Sequence, residues 1–188
     1  MTIQFLSPLL LLPFGTENNL LVGTIPFELQ ELPGLQLLHL EEGNTGGTIP
    51  SELGNLANLV ELDLNFNRLS GTIPESLFGM SNLVELDLNN NNLEGTISRS
   101  VGNLRNLQFF QVQANRMVGT IPVEMAQLDE LIIFNTDVNG FTGSMPEGLC
   151  LNRDISGGKL RSLTADCLNP AAPGYLACVT PTCCTACF

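Results

Sequence analysis

"LDLNNNNLEGTI", residues 86–97, sets four consecutive asparagines between an alternating apolar pattern and a glycine, a poor composition for a helix or for a strand that continues. Comparing the chain with itself shows what they are for. "GTIP" or a near copy begins at Gly23, Gly47, Gly71, Gly95 (as "GTIS"), Gly119 and Gly143 (as "GSMP"), each start 24 residues after the previous one. A fixed period of that length marks a repeat architecture, in which one supersecondary unit recurs. Four residues before each glycine stand Asn19, Gly43, Asn67, Asn91, Asn115 and Asn139. Asn91 is therefore assigned the structural role, and Asn89, Asn90 and Asn92 fall in columns that vary between copies.

The apolar columns agree. Nine before the glycine stand Phe14, Leu38, Leu62, Leu86, Phe110 and Phe134, and seven before it Thr16, Leu40, Leu64, Leu88, Val112 and Thr136. A separation of two puts both columns on one side of a short strand, with the residues between them facing out. After the glycine come triplets such as Leu53, Leu56, Leu59 and Val101, Leu104, Leu107, whose period of three suits a 3₁₀-like segment. The unit reads LxxLxLxxNxLxGTIPxxLxxLxx.

This unit resembles the plant-type extracellular leucine-rich repeat, whose copies carry a GxIP signature, and the resemblance covers residues 8 to 149. It implies an α/β repeat fold, a right-handed solenoid with a parallel sheet on its concave side, a short second strand at GTIP and 3₁₀ or irregular structure on the convex side. It also implies a ladder in which Asn19, Asn67, Asn91, Asn115 and Asn139 bond backbone groups of their own and neighbouring coils. No unit can bury its leucines alone, so neighbours complete each core layer.

With 188 residues and 44% hydrophobic content, the chain accommodates a solenoid over 1–149, about six repeats with the first incomplete, and a cysteine-rich cap over 150–188. A net charge of −12 with seven basic residues argues against nucleic acid and against an anionic membrane surface. The longest apolar run is too short to span a bilayer. "FLSPLLLLPFG" has the apolar length of a signal segment but lacks its basic start and small-residue cleavage site, while Leu11, Phe14, Asn19, Leu21 and Gly23 keep the repeat register. It reads as an incomplete first coil. Plant relatives carry a cysteine-bearing cap before that coil, so a fragment, or a start lying upstream, is the expectation.

Cys150, Cys167, Cys178, Cys183, Cys184 and Cys187 all lie in the terminal segment. An even number there reads as a disulfide-stapled cap made in an oxidising compartment, outside the cell or on its surface. Cys183 and Cys184 cannot pair with each other, because adjacent Cα atoms are only about 3.8 Å apart. "CVTPTCCTAC" also offers closely spaced thiolates of the kind zinc takes, and that alternative stays open. "LTADC" followed by "CCTACF" resembles the caps of secreted or surface leucine-rich repeat proteins of unicellular algae.

Function should sit in the outward columns, which the repeat leaves free. Adjacent strands lie about 4.8 Å apart, so Glu61, Asp63, Glu85 and Asp87 are expected to form an acidic square. Like charges across strands are mildly destabilising, which suits a face that attracts a basic peptide, a basic protein loop or a cation. A solvated acidic face is also common and costs little. Phe66, Phe109, Gln111 and Ile133 extend the expected ligand-binding set with aromatic, apolar and amide groups. His39, with Asp63 as its expected neighbour, supplies two members of a triad without a nucleophile, and the carboxylate pairs have no evident pocket. No catalysis, cofactor or metal is expected.

The reading is thus a non-catalytic module for a peptide or protein ligand, and the resemblance points to receptor ectodomains or inhibitors of cell-wall hydrolases. A second reading is an adhesive protein that binds polysaccharide or ice through Thr24, Thr48, Thr72, Thr96 and Thr120, although threonine equally suits a second strand. In the second coil Gly43 replaces the ladder asparagine and Thr45 a core leucine. That coil is either a decayed repeat or a distortion in which Asn44 slips into the ladder place.

Overall fold

The computed structural model describes residues 2–5, 22–152, 158–166, 176–177, 183–184 and 186–187. Phe14, Thr16, Asn19, Cys167, Cys178 and the side chain of Cys187 lie outside the described residues. The inward columns build a parallel sheet from Leu35–His39, Glu61–Asp63, Glu85–Asp87, Phe109–Gln111 and Ile133–Asn135. Partners are 24 residues apart throughout, so Leu38, Leu62, Leu86, Phe110 and Phe134 form one file. All of them are fully buried, and the rings of Phe110 and Phe134 stack at 5.5 Å. Burying one such side chain is worth about 1.5–3 kcal/mol, and a single coil could not collect it because each core layer is shared with the next.

The sheet runs on beyond the regular repeats. Ser162–Ala165 pairs parallel with Ile133–Asn135 and sets Leu163 beside Phe134, and Ala186–Cys187 pairs with it in turn. At the other end, Thr2–Phe5 lies antiparallel against Leu35–His39, while the strand that the sequence implied around Phe14 lies outside the described residues. An edge strand presents a row of free N–H and C=O groups that a chain of either direction can pair. The rest of the first coil follows the repeat: Val22–Thr24 pairs parallel with Asn44–Gly46, and a 3₁₀ turn covers Phe27–Glu31.

The second strands end on the GTIP glycine in Ser70–Gly71, Asn92–Gly95 and Arg116–Gly119. Here partners are 22 residues apart, as in Gly71 with Leu93 and Val118 with Gly140. A two-residue slip on this side and none on the concave side rotates each coil against the last. Gly95 has φ +82°, in the left-handed region that glycine adopts freely. It also lacks room for a side chain, since a Cβ there would lie 2.8 Å from the methyl carbon of Thr72, and Gly47, Gly71, Gly119 and Gly143 meet the preceding coil's threonine in the same way. The isoleucines at 25, 49, 73, 97 and 121 are buried. Pro26, Pro50, Pro74 and Pro122 then open 3₁₀ segments with φ between −71° and −61°, where a fixed φ is an advantage and the missing N–H no loss. Where "GTIS" breaks the pattern, the Ser98 hydroxyl accepts the Ser100 N–H at 3.1 Å and caps the turn instead.

Asn91 donates to the carbonyls of Leu88 and Asn89 in its own coil and of Leu64 in the coil before, while its oxygen accepts the Leu69 N–H at 2.9 Å. Asn67, Asn115 and Asn139 repeat the arrangement on Leu40, Leu88 and Val112. The second coil keeps the 24-residue register, and Asn44 stays in its strand; the coil has lost an amide without being distorted. A second amide series lies on the convex side, where Asn58, Asn82 and Asn106 donate to the carbonyls of Pro33, Ala57 and Ser81. The position before the ladder asparagine is left-handed in every described coil, with φ from +49° to +56° at Glu42, Phe66, Asn90, Ala114 and Val138.

The end of the stack is closed by mimicry. In earlier coils these two N–H groups bond carbonyls of the next coil, as Phe66 and Asn67 do with Asn89 and Asn90. At the last coil the Asp166 carboxylate takes both, from Val138 at 2.8 Å and Asn139 at 3.0 Å. A disulfide joins Cys150, in the short helix Glu147–Leu151, to the buried Cys183, with Cα atoms 4.9 Å apart. Cys184 is also disulfide-bonded, so none of these three sulfurs is a thiolate for zinc.

Candidate functional site

The strict register of the concave sheet brings the acidic columns together. Glu61 pairs with Glu85 and Asp63 with Asp87 on adjacent strands, and carboxylate oxygens of Asp63, Glu85 and Asp87 all lie within 4.8 Å of one another. No lysine or arginine forms an ion pair with them among the described residues.

Amides manage this charge. Asp63 accepts the Asn65 N–H at 3.0 Å and its side-chain NH₂ at 3.2 Å. Asp87, only 4% exposed, accepts the Asn89 backbone and side-chain N–H groups, the Asn65 side chain at 3.3 Å and Gln111 at 2.8 Å. Gln111 continues to Asn135, and Asn135 to Ser162 at 3.2 Å, so a polar chain crosses the sheet from the third coil to the cap. Asp87 thus accepts four amide bonds and Asp63 two, charge-assisted contacts that hold both carboxylates in fixed orientations.

Glu85 differs, because among the described residues no donor reaches its carboxylate. Burial first, then the charges of Glu61, Asp63 and Asp87, raise its affinity for a proton, with His39 opposing weakly. Asp63 and Asp87 are raised as well, chiefly by burial; the bonds from Asn65 and Asn89 pull in the other direction. His39 lies in register with Asp63, but its Nε2 meets Glu61 at 3.0 Å instead. The triad-like pair expected from the sequence is therefore replaced by a diagonal contact, since a ring on one strand reaches the next column as readily as its direct neighbour.

Phe109 and Ile133 are adjacent in one column and half-buried beside the acidic set. Phe66, 54% exposed, sits where the chain leaves the strand. Asn65 and Asn89 were not singled out in the sequence; their position two residues after an aspartate in "DLN" was the available signal, since that spacing lets the carboxylate bond the chain two residues on. Two grooves lie between coils along the GTIP flank, one around Thr24, Thr48 and Thr72 and another around Thr96 and Thr120.

Residues 47–117 match the model of the family described as leucine rich repeat. No curated protein matches the chain significantly. Among solved structures, the chain is 37% identical to the plant peptide hormone receptor RGFR1, solved in complex with RGF2, with 77% of this chain and 23% of that one covered and a TM-score of 0.72. It is 33% identical to the Arabidopsis receptor kinase HAESA ectodomain, solved in complex with an N-terminal extended IDA peptide hormone ligand, with 85% and 25% covered and a TM-score of 0.69. It is 29% identical to a plant ice-binding protein, with 69% and 42% covered and a TM-score of 0.62. The chain spans about a fifth of the length of the first receptor ectodomains it matches.

Proposed function

We propose that this leucine-rich repeat solenoid is a non-catalytic recognition module, outside the cell or on its surface, that binds a basic peptide or a basic protein loop on its concave face. The observation that carries the reading is the acidic set Glu61, Asp63, Glu85 and Asp87, aligned on rigid neighbouring strands with no basic partner other than His39 among the described residues. A partner bringing lysine or arginine would supply the missing countercharge, and Phe109, Ile133 and Phe66 would seat its apolar side chains. Receptor ectodomains of the same fold solved with peptide hormones support it, as does the disulfide between Cys150 and Cys183, which belongs to an oxidising compartment. An inhibitor of a cell-wall hydrolase is the same use of the face with a folded partner.

The test is binding of secreted basic peptides by calorimetry to wild type and to the double variant Glu61→Lys, Glu85→Lys. Loss of binding in the variant, with an unchanged circular dichroism spectrum, supports the reading; equal affinity for both proteins rejects it.

One observation favours a second reading, adhesion to polysaccharide or ice. Each GTIP threonine methyl is lodged against the next coil's glycine, so the hydroxyls of Thr24, Thr48, Thr72, Thr96 and Thr120 share one orientation on an exposed file. Thr72→Val with Thr96→Val keeps the methyls and removes the hydroxyls. It would abolish adhesion and leave peptide binding intact.

A further inference from the structure

We propose that the larger groove of the GTIP flank, crossing the first three coils, binds an uncharged, extended polysaccharide built of all-equatorial sugars, a glucan or xylan, with one sugar ring packed on Phe27. The inference rests on the adhesive reading given above and commits it to one ligand and one groove.

This groove has a volume of about 810 Å³, the size of a built ligand site, and Ile25, Ile49, Pro50 and Pro74 give it apolar walls. Thr24, Thr48 and Thr72 stand along it, one per coil, with their methyls lodged against Gly47, Gly71 and Gly95. Among the described residues their hydroxyls make no hydrogen bond within the protein. The hydroxyls of Ser70 and Ser76, by contrast, are spent on the carbonyls of Gly47 and Ser51 at 3.1 and 2.6 Å. A hydroxyl is both donor and acceptor, so three fixed and unspent ones suit a ligand that presents hydroxyls in turn. Neighbouring coils advance by about 4.8 Å, close to the length of one sugar in an extended glycan, and consecutive sugars would meet consecutive threonines.

Phe27 decides between a sugar and ice. Four residues after the GTIP glycine stand Phe27, Ser51, Glu75, Arg99, Val123 and Glu147, so the column carries an aromatic ring once, and that ring lines the larger groove, 53% exposed. A pyranose with equatorial hydroxyls turns its C–H groups to its faces, which pack on an aromatic ring while the hydroxyls bond at the edge. An ice surface has no use for the ring. Charge narrows the class further: Glu52 is the one charged residue lining this groove, and its carboxylate accepts the Ser51 hydroxyl at 3.2 Å. With no lysine or arginine in its lining, the groove favours an uncharged glycan over an anionic one. The second groove, about 480 Å³, shares the threonine file through Thr96 and Thr120 but is lined by Arg99 and Val123 and has no aromatic ring. It is a control within the same molecule.

The test is titration of the full chain with cellohexaose and with xylohexaose, following backbone amide chemical shifts, and with polygalacturonate as the anionic comparison. At least one neutral oligosaccharide should bind, moving the amides around Thr24, Phe27 and Thr48 and leaving those around Thr96 and Thr120 in place. Phe27→Ala should weaken binding by about three- to tenfold, the worth of one stacking contact, while Phe27→Tyr keeps it. Thr48→Val should weaken it as well, and Thr120→Val should not. Unchanged affinity in Phe27→Ala, shifts spread equally over both grooves, or tighter binding of polygalacturonate would each overturn the proposal. If neither oligosaccharide binds while the protein inhibits ice recrystallisation, the sugar site is rejected and the adhesive reading survives as ice binding. If neither activity is found, both are rejected together.

Discussion

The GTIP flank and the concave face repeat with one period, and the flank explains itself while the face does not. On the flank each conserved element answers a packing demand: glycine for a left-handed backbone against a neighbour's methyl, isoleucine for the core, proline to open the 3₁₀ turn. On the concave face the outward residues change from Glu61 and Glu85 to Phe109 and Ile133 along one file, with no core contact that dictates them. Regularity therefore records what the fold needs, and departure from it marks where the fold leaves residues free for recognition.

The sharpest way to break that contrast is Gly95→Ala. The substitution forces a Cβ to 2.8 Å from the Thr72 methyl and places alanine at φ +82°, so it should cost about 2–4 kcal/mol from overpacking and left-handed strain together. Thr72→Ser, which removes the methyl, should recover the packing part in the double variant and leave the backbone part. Urea denaturation of the four proteins of this cycle measures both. If Gly95→Ala alone unfolds no more easily than wild type, the threonine file is not locked, and the adhesive reading loses its fixed array.

Much of the fold was legible because invariant columns at a constant period report packing directly. Leu38, Leu62 and Leu86, or Asn67 and Asn91, had only to be aligned. What could not be read were roles filled by different residue types in each copy. The left-handed position holds Glu42, Phe66, Asn90, Ala114 and Val138, and five side chains without a common property leave no trace of a shared φ. Asn90, set aside as variable, is the residue best suited to that backbone. Asp166 was invisible for a related reason, since it replaces two carbonyls of an absent coil and a unique cap has no column. At the site, strand register placed the four carboxylates correctly, but side-chain direction decided that His39 would turn to Glu61.

Val138 gives a smaller effect of opposite sign. It is β-branched, 59% exposed and held at φ +56°, a conformation costing an ordinary residue about 1–2 kcal/mol. Val138→Asn should stabilise the last coil by about 1 kcal/mol, since asparagine tolerates the region, with no effect on the concave face. Hydrogen exchange at the Val138 and Asn139 amides, both bonded to Asp166, would report it locally. Faster exchange in the variant would mean that the valine side chain, not the backbone, governs this turn.

The smallest effect probes the concave face itself. Asp63, Glu85 and Asp87 all bind protons more readily folded than unfolded. The native state therefore holds more protons wherever the pH lies between the ordinary carboxylate range and these raised values, and stability must fall as pH rises through that window. Put in the other direction, mild acidification from pH 7 should raise the melting temperature until the unfolded chain's own carboxylates begin to take up protons. Most folds kept by salt-bridged carboxylates respond the opposite way, because pairing lowers those groups instead. Glu85→Gln removes the charge that has no donor to offset it, so its melting temperature at pH 7 should exceed that of wild type and climb less on acidification. Calorimetric scans across this range decide the matter. A wild-type curve that only declines as pH falls would mean that amide bonds from Asn65, Asn89 and Gln111 outweigh the crowding, and that the acidic face is held at no cost to the fold.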